Sequence, residues 1–120
     1  MDYNSPLDVT RHFIRTHMEQ RDLEAALACL TDRIEWFGTG AFEVVRGKED
    51  ARRFLSSEIT AFPAGYQVAF RDMTETMLTE DVGTVLGQIL LTDRTMGSQL
   101  SCRITTTCVR QNSCFLVASL

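Results

Sequence analysis

The second half of this sequence constrains the fold most. Residues 66–79, 82–92, 99–110 and 114–120 are four segments rich in Val, Ile, Thr and aromatic side chains. Only Glu80-Asp81, the stretch 93–98 and Gln111-Asn112-Ser113 separate them. β-Branched and aromatic residues suit a pleated, half-buried surface, and such short polar breaks suit tight turns. Four successive strands joined this closely form an antiparallel meander, which must bury one face against something else.

The first half supplies the cover. Ser5-Pro6-Leu7-Asp8 reads as a helix start: a capping hydroxyl, a proline suited to the first turn and an acid at the positive end. Val9, Phe13, Ile14 and Met18 recur at helical spacing, which predicts a helix to about Gln20. Asp22 caps a second helix carrying Leu23, Ala26, Leu27 and Leu30 on one side. Ile34-Glu35-Trp36-Phe37 predicts a short strand, Gly38-Thr39-Gly40 a break, and residues 42–45 a return strand. Gly47 opens a third helix with Ala51, Phe54, Leu55, Ile59 and Phe62 inward, closed by Pro63-Ala64-Gly65. The expectation is a single α+β domain spanning 1–120, with three helices on a curved antiparallel sheet. Gly83 and Gly87, inside a strand, predict bulges or bends. The apolar run 115–120 stops inside a strand, which suits a last strand or a domain continued by further chain, such as a C-terminal signalling domain.

At 120 residues and 44% hydrophobic content, one packed core is expected. The net charge of −4, without a basic cluster, argues against nucleic acid and anionic membrane surfaces as partners. No apolar run nears the roughly 20 residues of a membrane span, and the N-terminus lacks the pattern of a signal peptide, so a cytoplasmic protein is expected. Cys29, Cys102, Cys108 and Cys114 contain no C-x-x-C pair and suit reduced, buried thiols. His12 and His17, five apart on a helix, diverge by about 140° and do not face one metal ion. Neither a metal nor a cofactor is expected.

Asp32-Arg33-Ile34-Glu35-Trp36-Phe37-Gly38-Thr39-Gly40 resembles the D-x-x-x-W-x-G-T-G segment of the SnoaL-like branch of the nuclear transport factor 2-like superfamily. Val45-Arg46-Gly47-Lys48-Glu49 resembles its third-helix start, and Arg103-Ile104-Thr105 followed by Phe115 its R-x-T closing hairpin. Phe115 stands where tryptophan is usual, and Ser119 where histidine is. The resemblance covers essentially the whole chain. It implies a cone-shaped fold with a pocket between helices and sheet, usually in a homodimer. It does not fix a function, because its members include isomerases, dehydratases, the association domain of calcium/calmodulin-dependent kinase II and sensory domains.

Arg103 is the first candidate site residue. On its strand Gln99, Ser101, Arg103, Thr105 and Thr107 share one phase, and Leu100, Cys102 and Ile104 the other. Alternation alone places the polar phase in solvent. The resemblance to the kinase association domain implies instead that Arg103 faces the cavity, where its planar fork suits a carboxylate. On that reading Arg103 and Thr105, with Trp36 and Tyr66, bind a small anionic ligand, and Leu100, Cys102 and Ile104 face outward into a homodimer interface. By its size alone Trp36 suits the core better than a pocket mouth, and Tyr66 equally suits an exposed strand edge. His17 either approaches the pocket or packs as a neutral core residue. Acid–base enzymes of this superfamily hold a carboxylate in the cavity. Here Glu75, Glu80, Asp81 and Asp93 fall at strand ends or turns, and Glu35 alternates away from Trp36. No catalytic residue is therefore assigned. A non-catalytic binding or dimerising sensor module is expected, with a small cofactor-independent lyase, isomerase or hydrolase as the alternative.

Overall fold

The computed structural model describes residues 3–38 and 41–120. Thr39 and Gly40, the end of the glycine-containing motif, lie outside the described residues. Helix α1, Pro6–Ile14, begins as its sequence predicts, with the Ser5 hydroxyl accepting a hydrogen bond from the Asp8 amide at 3.1 Å. It buries Val9, Phe13 and Ile14, then widens into a π-turn over Arg15–Glu19. Arg21, in the left-handed region at φ 56°, ends it. Helix α2, Leu23–Leu27, is capped by Asp22 and is shorter than its periodicity predicts. The Cys29 carbonyl is taken by the Val117 amide at 2.8 Å, so the chain leaves the helix and Leu30 opens a strand.

That strand is β1, Leu30–Phe37, followed by β2, Val44–Arg46, and helix α3, Lys48–Ala61. The meander follows: β3 is Tyr66–Met77, β4 Val82–Asp93, β5 Gln99–Gln111 and β6 Cys114–Ser119. All six strands form one sheet in the order β2-β1-β6-β5-β4-β3. The antiparallel expectation needs one correction: β1 runs parallel to β6, while the other neighbours are antiparallel. The helices connecting these two strands through the rest of the chain make a parallel pair possible.

The architecture is α+β, with three helices against a six-stranded mixed sheet. Phe13, Ile34, Trp36, Leu55, Ile89, Ile104, Phe115 and Val117 fill the space between the layers. Phe13 is 1% exposed, and burying such a ring is worth about 2–3 kcal/mol. The two strand glycines serve a different purpose from the predicted bulges. A Cβ on Gly83 would meet Pro6 Cγ and Met77 Sδ at 2.7 Å, and one on Gly87 would meet Met73. Their missing side chains let α1 and two methionines approach the sheet. The bulge itself is on β3 between Arg71 and Thr74, where Asp72 takes φ 52°.

Candidate functional site

The phase of β5 decides which residues face the helices. Ile104, Thr106 and Cys108 are buried, whereas Ser101, Arg103 and Thr105 are exposed. The expectation that Arg103 and Thr105 enter the pocket is thus corrected: both lie on the sheet face turned away from the helices. Ile104 takes the inward place because burying an unpaired guanidinium costs far more than burying an aliphatic chain. Cys102 and Ile104, assigned to an outward interface, accordingly pack against the core. Leu100 shares their phase but is exposed at the strand's end.

What the inward face brings together is an aromatic row ending on His17. Phe54 of α3 meets Trp36 of β1 edge-on, with ring centroids 5.6 Å apart. Trp36 lies 6.3 Å from Phe13 of α1, and Phe13 stacks on His17 at 4.4 Å with a 16° tilt. Trp36 is 5% exposed and packs in the core, the second of its two sequence readings. His17 is 8% exposed, and its Nε2 is enclosed without a hydrogen-bond partner. Among the described residues it is the one fully buried side-chain nitrogen or oxygen left so. Burial, reinforced by the nearby Arg21 charge, pushes the imidazole down from 6.5 to about 3. His17 is thus neutral at physiological pH, with one ring nitrogen able to accept.

The π-turn puts it there. Gln20 N–H donates to the Arg15 carbonyl and Asp22 N–H to that of Thr16, both at 2.8 Å. The extra residue per turn shifts His17 away from the direction an unbroken α-helix would give it. Arg21 then fixes the turn: its guanidinium donates to the His17 carbonyl at 2.9 Å and to the Phe62 carbonyl at 2.7 Å. It also lies over the rings of Phe62 and Tyr66 at 5.8 and 5.9 Å. Tyr66 therefore helps to hold the arginine that holds His17.

Other inward polar groups are satisfied by each other. Thr10 and Thr106 share a 2.7 Å hydrogen bond, with Cys108 Sγ 3.6 Å from Thr10. Cys29 donates to the Tyr3 hydroxyl at 3.6 Å, and burial raises both their pKa values, that of Cys29 to about 11. All four cysteines are free thiols. The carboxylates are spent elsewhere: Glu75 accepts from the Leu7 amide at the start of α1, and Glu19 from the Val68 amide while pairing with Arg15. No metal-ligating group of three is found among the described residues. Surface grooves run along α3, past Arg52, Arg53, Ser56 and Thr60, and at its start past Arg46, Lys48 and Asp50.

Helices laid over a curved sheet in this order are found in known structures. A protein from Thiobacillus denitrificans described as a calcium/calmodulin-dependent kinase II association domain superposes with a TM-score of 0.82 at 12% identity, over 99% of this chain and 94% of that one. A nuclear transport factor 2-like protein of unknown function from Pseudomonas putida gives 0.80 at 13% identity, covering 92% and 78%. This chain has the nuclear transport factor 2-like fold. A protein of this fold from Novosphingobium aromaticivorans, described as a scytalone dehydratase, gives 0.79 at 15% identity, covering 92% and 75%. No protein-family model and no curated protein matches the sequence. The nuclear transport factor 2-like fold therefore carries binding proteins and enzymes alike, and function has to be argued from His17 and its neighbours.

Proposed function

We propose that this chain is a non-catalytic, small-molecule-binding module of the cytoplasm, and that its ligand donates a hydrogen bond to Nε2 of His17. The observation that carries the reading is the enclosed, unpartnered Nε2 at the end of the Phe54–Trp36–Phe13 row. An unsatisfied buried acceptor costs about 1–3 kcal/mol, which a donor from a ligand removes. The walls are aromatic and the acceptor neutral, so they suit a flat, uncharged molecule bearing one hydroxyl or N–H. Among the described residues an anion finds no free cation inside: Arg103 faces away, and Arg21 is committed to two carbonyls. A base protonated only near pH 3 has little power to abstract protons at neutral pH, and no carboxylate hydrogen-bonds to it. That favours binding over acid–base catalysis.

The test uses p-cresol, toluene and benzoate as probes, with the fluorescence of Trp36 as the reporter. p-Cresol is expected to bind up to about tenfold more tightly than toluene, the value of one net hydrogen bond, and benzoate more weakly than both. His17→Phe should erase the difference between p-cresol and toluene. Equal affinities in the native protein, or a preference for benzoate, would reject the reading.

A further inference from the structure

The core that holds the aromatic row is closed: Phe13, Ile34 and Trp36 are each 5% exposed or less. One border of His17 is built differently. The π-turn Arg15–Glu19 meets the loop 62–65, between α3 and β3, along a seam where backbone lies on backbone. A Cβ on Gly65 would stand 2.7 Å from the Met18 carbonyl oxygen, and Gly65 itself takes φ 69°. Met18, Phe62 and Tyr66, the large side chains along this seam, are only half-buried.

The ties across the seam are hydrogen bonds between charged side chains and main chain. Arg21 reaches the Phe62 carbonyl with Nε at 3.1 Å and Nη2 at 2.7 Å. The Glu19 carboxylate accepts from the Val68 amide of β3 at 3.0 Å. Arg94, exposed on the turn between β4 and β5, spans both sides: its Nη1 donates to the Glu19 carbonyl at 3.1 Å and to the Ala64 carbonyl at 3.5 Å. Segments held by hydrogen bonds near water and by few apolar contacts open before the core does. The π-turn adds an irregular backbone, of a kind that gathers at functional sites, and Arg21 at φ 56° hinges its end.

Given the binding site proposed at His17, on which this rests, we infer that the seam between the π-turn and residues 62–65 is the ligand's way in, and that Arg94 is the bolt across it. The π-turn is then a strap that carries the hydrogen-bond acceptor on its inner side. A ligand bonded to Nε2 holds the strap down from within, while Arg94 holds it from outside. Both hydrogen bonds of Arg94 go to main-chain carbonyls and neither to the aromatic row. Its loss therefore speeds entry and exit alike, and leaves affinity nearly unchanged as long as the closed strap stays the dominant state.

Arg94→Ala is the test. Amide exchange followed by NMR reads the seam without any ligand. The Gln20 and Asp22 amides, which close the π-turn on Arg15 and Thr16, should lose about three- to tenfold of their protection. The Val117 amide, bonded to Cys29 inside the sheet, should keep its own. In stopped flow with Trp36 fluorescence, p-cresol should bind and leave about three- to tenfold faster, with its affinity held within about twofold. Arg52→Ala removes the Glu24 pair that joins α2 to α3 and should alter none of these readings. Unchanged protection of Gln20 and Asp22 in Arg94→Ala, or equal acceleration in Arg52→Ala, would overturn the inference. If p-cresol binds the native protein and Arg94→Ala at the same rates, the entry route alone falls. If the native protein binds no p-cresol, the His17 site falls and the route with it.

Discussion

If burial holds His17 neutral, acid should destabilise the protein through this one side chain. In the folded chain the imidazole protonates near pH 3, and in the unfolded chain near 6.5. Between these values the unfolded state binds the extra proton, so stability is complete above pH 6.5 and falls as pH drops toward 3. By linkage the loss is about 2 kcal/mol at pH 5 and about 3 kcal/mol at pH 4. Arg21 adds to the effect, since its guanidinium opposes a second positive charge. Urea unfolding of the native protein and of His17→Phe at pH 7 and pH 5 isolates the contribution, because the two chains differ only at that side chain. The stability gap should shift by about 2 kcal/mol in favour of the phenylalanine variant at pH 5. A gap independent of pH would show that His17 is solvated or differently placed, and would remove the basis of the binding site with it.

Three further substitutions test the supports of that site. Gly83→Ala should cost about 1–3 kcal/mol in chemical denaturation, because its Cβ meets Pro6 and Met77. Arg21→Gly keeps a residue suited to φ 56° but removes the hydrogen bonds to the His17 and Phe62 carbonyls. A loss of about 1–3 kcal/mol with a broadened Trp36 emission is expected, and unchanged stability would deny the arginine its role. Thr106→Val removes the 2.7 Å partner of Thr10 inside the core and should lower stability by about 1–2 kcal/mol, read from the shift in urea midpoint.

The four meander strands were legible almost to the residue, because alternation and polar turns are local signals. The predicted 82–92 is observed as Val82–Asp93, and 99–110 as Gln99–Gln111. Leu30 was misleading: it completes a helical stripe with Leu23, Ala26 and Leu27, but its neighbour Cys29 is bound to Val117, a partner remote in sequence. The same remoteness hid the parallel pairing of β1 with β6. For β5, alternation of polar and apolar residues already places Arg103 in solvent. The resemblance implies that it turns inward, and the structure leaves it exposed, where an unpaired guanidinium avoids the cost of burial. His17 was weighed as a position on a regular α-helix. Nothing in Arg15-Thr16-His17-Met18-Glu19 announces a π-turn, whose insertion depends on Arg21 reaching Phe62 across the fold.

The place of β6 has a consequence for how the sheet can assemble. It follows every other element along the described chain, yet sits third in the sheet, between β1 and β5. Until it arrives, β1 with β2 and the hairpins β3–β4–β5 are two separate ribbons, each with an open edge. The Val117 amide then bonds to Cys29 and Phe115 to Tyr3, while the opposite side of the strand pairs with β5. The strand acts as a keystone: it adds little length, but removing it splits the sheet across its middle instead of trimming a margin. Its contacts with residues 3 and 29 close loops of nearly the whole chain, so most of the ordering entropy is spent before the ribbons join. Folding should therefore be limited by one late, long-range docking event.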